Sequence, residues 1–447
     1  MKKNNFLKKL SLSRKIILGF MLAILMGTFL LMTPVASTSG KGLSFITALF
    51  TVTSAVCVTG LSVIDISKEL TVTGQIILLI FIQLGGLGVM TFSSFLFLLI
   101  GKKITFGERE LLKEERNLEN NGGILDFLIK VFKTVGLIEI IGTIFLTSRF
   151  AQDMSFGKAL YFGIFHSISA FCNAGFSLFS NNLETYRDSL VINMTISYLI
   201  IIGGIGFTVI NSIIQAVRYK KKKFDLTSKV AIIMSMFLVV LGTVLFLVLE
   251  YGNSKSIGNL PFSTKILASF FQSVSTRTAG FNTVPLGNLS GATIFLFCIL
   301  MFIGASPGST GGGIKTTTFG VIIFYVIGIA KRKDSVSIFN RRFGWEVLNR
   351  ALVILVIALL YVATIILIIA SIESNLTLEQ VMFEVVSAFG TVGLTLGITS
   401  ELGTISKILI ICTMFLGRLG PMTFALALDG SNEIEKIQFP KENILVG

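Results

Sequence analysis

The amino-acid sequence predicts an all-α polytopic membrane protein built from four copies of one unit. Composition is the first sign: hydrophobic residues make up 53% of the 447 and charged ones only 14%, where soluble domains carry roughly 25% charged residues. Length is the second. Runs such as "IILGFMLAILMGTFLLMTPV" (16–35) and "ALVILVIALLYVATIILIIA" (351–370) reach the ~20 apolar residues that cross a bilayer. Repetition is the third. Between long apolar segments lie "SAVCVTGLS" (54–62), "SAFCNAGFS" (169–177), "VSTRTAGFN" (274–282) and "SAFGTVGLT" (387–395). Aligned without gaps, they bring Gly60, Gly175, Gly280 and Gly393 to one position, each followed by Leu or Phe.

The elements follow in order. Residues 1–15, with Lys2, Lys3, Lys8, Lys9, Arg14 and Lys15, read as a cytosolic N-terminal segment. Then come repeat 1 (16–100), a cytosolic loop (101–123), repeat 2 (124–218), a basic loop (219–228), repeat 3 (229–330), another cytosolic loop (331–348), repeat 4 (349–430) and a C-terminal tail (431–447). Within each repeat a long helix precedes a short apolar stretch, at 42–53, 157–168, 263–273 and 378–386. These stretches are too short to span and read as re-entrant half-helices. The glycine-bearing loop comes next. A second long helix then carries a marker 24–28 residues after the shared glycine: "LGGLGVMTF" (84–92), "IGGIGFTVI" (202–210), "IGASPG" (303–308) and "LGRLGPMTF" (416–424). The expected total is eight transmembrane helices plus four re-entrant half-helices.

A net charge of +14 could suggest a nucleic-acid partner, but the cations fall in bursts: at the N-terminus, from Lys102 to Arg116, in "RYKKKK" (218–223), and from "KRK" (331–333) to Arg341, Arg342 and Arg350. The alternate connections hold few. This is the positive-inside pattern; it places both termini and the basic loops in the cytoplasm and argues against nucleic acid. The N-terminal basic and apolar stretch resembles a signal peptide, but its apolar part is too long and the first repeat requires it. Cys57, Cys172, Cys298 and Cys412 are widely spaced, without metal-ligand pattern, and read as packing residues.

Repeated helices of one sense give parallel repeats around an axis along the membrane normal, so the four loops face a common centre. Non-helical backbone at membrane depth must be buried in protein or line a watery cavity. Glycine allows φ > 0, and successive carbonyls can then turn toward one axis. Such a ring of neutral dipoles can replace the water shell of a monovalent cation, as in potassium filters, and the C-terminal ends of the half-helices add negative potential. The loops carry no acidic ring, which disfavours divalent ions. Gly85, Gly86, Gly203 and Gly204 stand equally for close helix packing or for function.

The fourfold helix–pore–helix unit, the single glycine per loop and "STRTAGFN" resemble the Trk/Ktr/HKT superfamily of potassium transporters. Without an extra N-terminal helix pair, the chain looks like the membrane subunit of its bacterial Ktr branch (the KtrB type). The resemblance implies four parallel helix–pore half-helix–helix repeats around a central pore, in a multi-pass protein of the bacterial cell membrane. It further implies potassium uptake, often favoured by sodium, through a homodimer in which each subunit holds its own pore. A cytosolic ring of KtrA-like, nucleotide-binding regulatory subunits would control it, with no cofactor in this chain. The implied potassium filter is Val58, Thr59, Gly60; Asn173, Ala174, Gly175; Thr278, Ala279, Gly280; and Thr391, Val392, Gly393. Arg277 replaces the Cys57, Cys172 and Gly390 of the other loops; it would face away from the ion and cap its half-helix.

Ionisable residues within spans are functional candidates. Arg418 lies beside the fourth marker, inside the apolar stretch from Ile405 to Leu428, and the resemblance has it contact the irregular segment of the third unit. Glu384 in the fourth half-helix reads as a helix-stabilising hydrogen-bond partner, His166 as a satisfied packing residue, and Glu139 as half of an unassigned helix pair. "GASPGSTGGGIKTTTFG" (304–320) resembles a phosphate loop, but Ile314 interrupts the Walker spacing before Lys315 and the flanks are spanning helix. The segment reads instead as an unwound intramembrane gate (304–317), present in the third unit alone. Its candidate residues are Gly308, Ser309, Thr310, Gly311, Gly312, Gly313 and Lys315, with Arg418 opposite. The competing functions are an alternating-access carrier for a small solute, which predicts inverted halves, and a membrane-embedded enzyme, for which no catalytic motif is present.

Overall fold

In the computed structural model the described residues are 12–88, 91, 124–219, 225–332, 337–339, 341–342 and 344–420. Much of the basic connections, Lys2, Lys3, Lys8, Lys9 and the C-terminal tail (431–447) lie outside them.

The described chain is helical, apart from two paired two-residue strands at Ser337–Ile338 and Arg341–Arg342. Unit 1 comprises α1 (Leu12–Leu31), α2 (Phe45–Val56), the single turn α3 (Ile66–Glu69) and α4 (Val72–Leu87). Unit 2 comprises α5 (Ile124–Phe150), α6 (Phe156–Phe171), α7 (Leu190–Ile205) and α8 (Phe207–Tyr219). Unit 3 has α9 (Leu226–Glu250), α10 (Phe262–Ser275), α11 (Gly291–Phe302) and α12 (Thr316–Ala330); unit 4 has α13 (Trp345–Ile372), α14 (Leu378–Gly390) and α15 (Thr404–Leu419). Side-chain oxygens start many of them: Ser44 caps α2, Thr71 α4, Ser189 α7, Asp225 α9 and Ser290 α11, while Thr377 and Gln380 form a reciprocal capping box on α14, satisfying donors that a helix cannot satisfy itself.

Packing links the units in a circle. The first helix of each unit packs on its own short helix: α1 on α2, α5 on α6, α9 on α10, α13 on α14. The helix after each loop packs on the short helix of the following unit: α4 on α6, α7 on α10, α11 on α14, and α15 back on α2. One continuous apolar core runs through all four. The outward faces keep large apolar side chains exposed, such as Phe29, Ile144, Met236 and Leu360, as a lipid solvent allows.

The expectation that only the third unit has a broken inner helix is corrected. By length and composition α1, α9 and α13 can cross a membrane singly, and α7 with α8 as a pair bent by 98°. Gly88, Gly206 and Gly420, the last glycine of each repeated marker, end α4, α7 and α15 with φ of 82°, 98° and 87°. A helix cannot continue through such a residue. α15 therefore stops at Leu419 instead of running on to Leu428. Three of the short helices also exceed the expected length, at 16, 14 and 13 residues. The first has the expected 12 residues but is shifted to Phe45–Val56, and all four continue into the loop motif itself.

The other marker glycines serve contact. A Cβ at Gly85 would lie 2.1 Å from the Val56 carbonyl oxygen, one at Gly203 1.9 Å from that of Phe171, and one at Gly417 2.0 Å from that of Phe389. The inner helices of units 1, 2 and 4 thus rest their backbones on the last turn of their own short helices, which answers the question left open for Gly85 and Gly203. Gly203→Ala is expected to cost about 1–3 kcal/mol by overpacking, read as a lower melting temperature in detergent; an unchanged melt would contradict this contact.

Sequence reading overlooked Glu250. This buried side chain accepts from the Ser290 backbone (2.9 Å) and hydroxyl (2.7 Å), Thr293 (2.6 Å) and Asn253 (2.7 Å), and also from Ser256. It fastens the end of α9 to the start of α11, where an anion is favoured by the helix dipole.

Candidate functional site

The four loops share one backbone design. Val58, Asn173, Thr278 and Thr391 take φ of 57°, 59°, 69° and 49°, and Gly60, Gly175, Gly280 and Gly393 take 94°, 68°, 73° and 91°. Left-handed backbone is unfavourable for β-branched residues such as Val58, Thr278 and Thr391, and backbone strain of this kind gathers at functional sites. Between each pair stands Thr59, Ala174, Ala279 or Val392, whose N–H turns back to the short helix, bonding the carbonyl of Ser54 (2.7 Å), Ser169 (2.8 Å), Ser275 (3.0 Å) or Ser387 (2.8 Å).

The same serines brace the loops with their hydroxyls. Ser54 accepts from Gly60 N–H at 3.0 Å and Ser387 from Gly393 N–H at 3.1 Å. Ser169 donates to the Phe176 carbonyl at 2.8 Å, and Ser275 to that of Phe281. Sequence reasoning missed this role. The signal was there, since three serines open their motifs at the same position and the fourth is shifted by one.

The glycines close on one another. A Cβ on Gly60 would meet the Ala174 carbonyl oxygen at 2.5 Å, on Gly175 that of Ala279 at 2.7 Å, on Gly280 that of Val392 at 2.6 Å, and on Gly393 that of Thr59 at 2.1 Å. Each loop touches the next, and the fourth returns to the first. Below the ring, the Asn173 amide and the Thr278 hydroxyl meet at 3.0 Å. One carbonyl is already engaged: Gly280 O accepts from Asn182 Nδ2 at 3.2 Å.

All four glycines line the floor of one cavity of 690 Å³. Asp65, Glu69 and Glu184 also line it, so the cavity carries carboxylates although the loop motifs themselves hold none.

On the other side lies the segment between α11 and α12. Its backbone bonds to unit 2, Ser306 N–H to Gly204 O (3.0 Å), Thr310 N–H to Gly203 O (3.2 Å) and Phe207 N–H to Gly308 O (3.1 Å). It also bonds to unit 4, Gly313 N–H to Gly417 O (3.2 Å) and Gly312 N–H to Thr391 Oγ1 (2.8 Å). A Cβ on Gly311 would sit 2.2 Å from Thr278 Oγ1 and one on Gly312 2.6 Å from Thr391 Oγ1. Only glycine permits so close an approach to the ring. Ser309 is nearly buried, and Lys315 donates to Gly311 O at 2.8 Å.

Arg418 ends α15 and donates to two carbonyls, Thr310 O in this segment and Gly85 O of unit 1. The fork thereby joins the segment to unit 1. It occupies the marker position of Gly86 and Gly204. Arg277 faces away from the ring, as expected, but does not cap its half-helix: it donates to Gly304 O at 3.2 Å and approaches Ser235 on α9 at 3.5 Å. The end of α10 is closed by Thr276 instead.

The remaining candidates are tied into the protein. Glu384, buried, accepts from Thr395 at 2.7 Å and from Thr399. His166 is fully buried among Phe150, Phe162, Phe165 and Phe179, with both ring nitrogens bonded. Glu139 accepts from Gln83 of α4 at 2.9 Å, and Gln83 in turn accepts from the Cys172 thiol. Cys57, Cys172 and Cys298 are buried free thiols, whereas Cys412 is exposed, which corrects its reading as packing.

A helical chain that crosses a membrane and converges four strained loops on a single buried ring is an integral membrane transport protein in design. The model of the TrkH family, described as cation transport protein, matches residues 13–437, and the chain belongs to that family. The Ktr system potassium uptake protein B of Bacillus subtilis is 39% identical over 96% of this chain and 95% of its own. The potassium/sodium uptake protein NtpJ of Enterococcus hirae is 37% identical over 98% of each. The crystal structure of the potassium transporter TrkH from Vibrio parahaemolyticus superimposes with a TM-score of 0.74 over 96% of this chain and 87% of that one, at 18% identity, a likeness of fold.

Proposed function

We propose that this chain is the ion-translocating subunit of a potassium uptake system. Its filter would be the backbone carbonyls of the four loops, arranged as four parallel helix–pore half-helix–helix repeats around a central pore. The observation that carries the reading is the closed circle of Gly60, Gly175, Gly280 and Gly393, each within side-chain distance of the next loop's carbonyl. A ring of neutral carbonyl dipoles suits a weakly hydrated monovalent cation, the four short helices direct their C-terminal ends toward it, and the carboxylates lining the cavity would concentrate cations. The names of the full-length relatives supply potassium, and NtpJ supplies sodium as a second ion.

Residues 304–317 act as the gate in this reading, with Arg418 as its latch. Two copies would assemble in the bacterial plasma membrane, with termini in the cytoplasm and a KtrA-like nucleotide-binding ring beneath. Nothing favours an alternating-access carrier: the helix breaks recur in four units of one sense, where that mechanism expects two inverted halves. The test is growth of a potassium-transport-deficient bacterium at low potassium, with a KtrA-type partner supplied. Growth should return with the wild-type chain, and its failure to return would overturn the proposal.

A further inference from the structure

Two loops are pinned to their short helices by a contact that repeats at the same place. Nine residues before the shared glycines stand Thr51, His166, Phe271 and Glu384, and two residues after them stand Ser62, Ser177, Asn282 and Thr395. In unit 2, His166 Nε2 meets Ser177 Oγ at 3.0 Å and the Leu178 N–H at 3.4 Å, while Nδ1 lies 2.8 Å from Phe162 O. The bonding fits the tautomer with its proton on Nδ1. In unit 4, Glu384 accepts from Thr395 at 2.7 Å and from Thr399, and Thr395 itself accepts from Gly397 N–H at 3.0 Å.

Units 1 and 3 lack the pin. Thr51 turns back to Thr47 O at 2.8 Å and Ser62 bonds within its own limb to Ile64. Phe271 has no polar atom to offer, and Asn282 bonds Glu184 and Val284. Phe271 also shows that the position does not require a polar group: it is as fully buried as His166. An ionisable side chain there costs desolvation unless it is fully bonded, so its presence in two loops calls for a function beyond filling space. The order of contacts runs from loop 1 to 2 to 3 to 4 and back to 1, so the two pinned loops face each other across the ring.

We infer that His166 and Glu384 are positioning residues for ion selection. Each ties the outer limb of its loop to its own half-helix, so that the ring is held at a fixed width along the diagonal of loops 2 and 4. This rests on the carbonyl-filter reading above. Discrimination between potassium and sodium, ions of equal charge and different radius, would depend on that width.

The test is the potassium-over-sodium flux ratio of the full chain in liposomes, with melting temperature recorded for every variant. Thr395→Val keeps the shape and removes the hydroxyl, and should lower the ratio about tenfold, the scale of one lost hydrogen bond to a carboxylate. Ser177→Ala should lower it roughly threefold, a neutral bond being weaker, and Thr395→Ser should restore it. Glu384→Gln combined with Thr395→Val should do little more than either alone. A wild-type ratio in Thr395→Val and Ser177→Ala, with or without a lowered melting temperature, overturns the inference while leaving the filter standing, provided Gly393→Ser shifts the ratio. If Gly393→Ser leaves the ratio unmoved as well, the filter reading falls and this inference with it.

Discussion

Gly393→Ala is expected to cause the largest loss of potassium selectivity of any single methyl added to this protein. The new Cβ would lie 2.1 Å from the Thr59 carbonyl oxygen, at a residue whose φ is +91°. Left-handed backbone costs an L-residue about 1–2 kcal/mol, and the overlap cannot be relieved without moving a carbonyl of the ring. Together these imply at least roughly a tenfold fall in the potassium-over-sodium ratio. The clearances at the other glycines, 2.5 Å at Gly60, 2.6 Å at Gly280 and 2.7 Å at Gly175, predict a graded series in uptake assays, with Gly175→Ala the mildest. A series in the reverse order would break the link between ring geometry and selection.

Arg418→Ala is expected to produce the largest rise in flux without activation. Its guanidinium holds the Thr310 and Gly85 carbonyls at once, and hydrogen bonds from charged donors contribute about 1.5–3 kcal/mol each. Losing two would shift a closed-to-open equilibrium by at least about 100-fold. Arg418→Lys should rescue poorly, because a single ammonium does not reproduce a planar fork directed at two units. Replacing residues 308–313 with a shorter spacer should raise basal flux as well. Unchanged flux in Arg418→Ala would remove the latch from the mechanism, and a fall in flux with the shorter spacer would make the segment structural.

Much of this was legible in the sequence because the strongest signals were repeated. A glycine that recurs with its preceding half-helix in four places marks shared backbone geometry, and the loops at Gly60, Gly175, Gly280 and Gly393 do share it. The unwound segment announced itself by composition: "GSTGGG" cannot pack as a helix at membrane depth. What escaped was whatever depends on contact across units. The last glycine of each marker ends a helix, yet Gly88, Gly206 and Gly420 look like their packing neighbours Gly85, Gly203 and Gly417 until φ is known. Arg277 seemed a cap because its partners, Ser235 and Gly304, are distant in sequence. His166 and Glu384 read as isolated polar residues because two of the four equivalent positions hold Thr and Phe.

The composition of the segment over the ring has a thermal consequence. From Gly308 to Gly313 it presents glycines and two hydroxyls, and backbone hydrogen bonds hold it to units 2 and 4. Moving it aside exchanges polar contacts for hydration and uncovers little apolar surface. Heat-capacity change follows apolar exposure, so the equilibrium between obstructed and open forms should give a nearly straight van 't Hoff plot. A plug of leucines or phenylalanines in the same place would bend that plot, making conductance fail on cooling as well as on warming. If residues 304–317 act as the proposed gate, its setting should therefore drift in one direction with temperature and show no reversal on cooling.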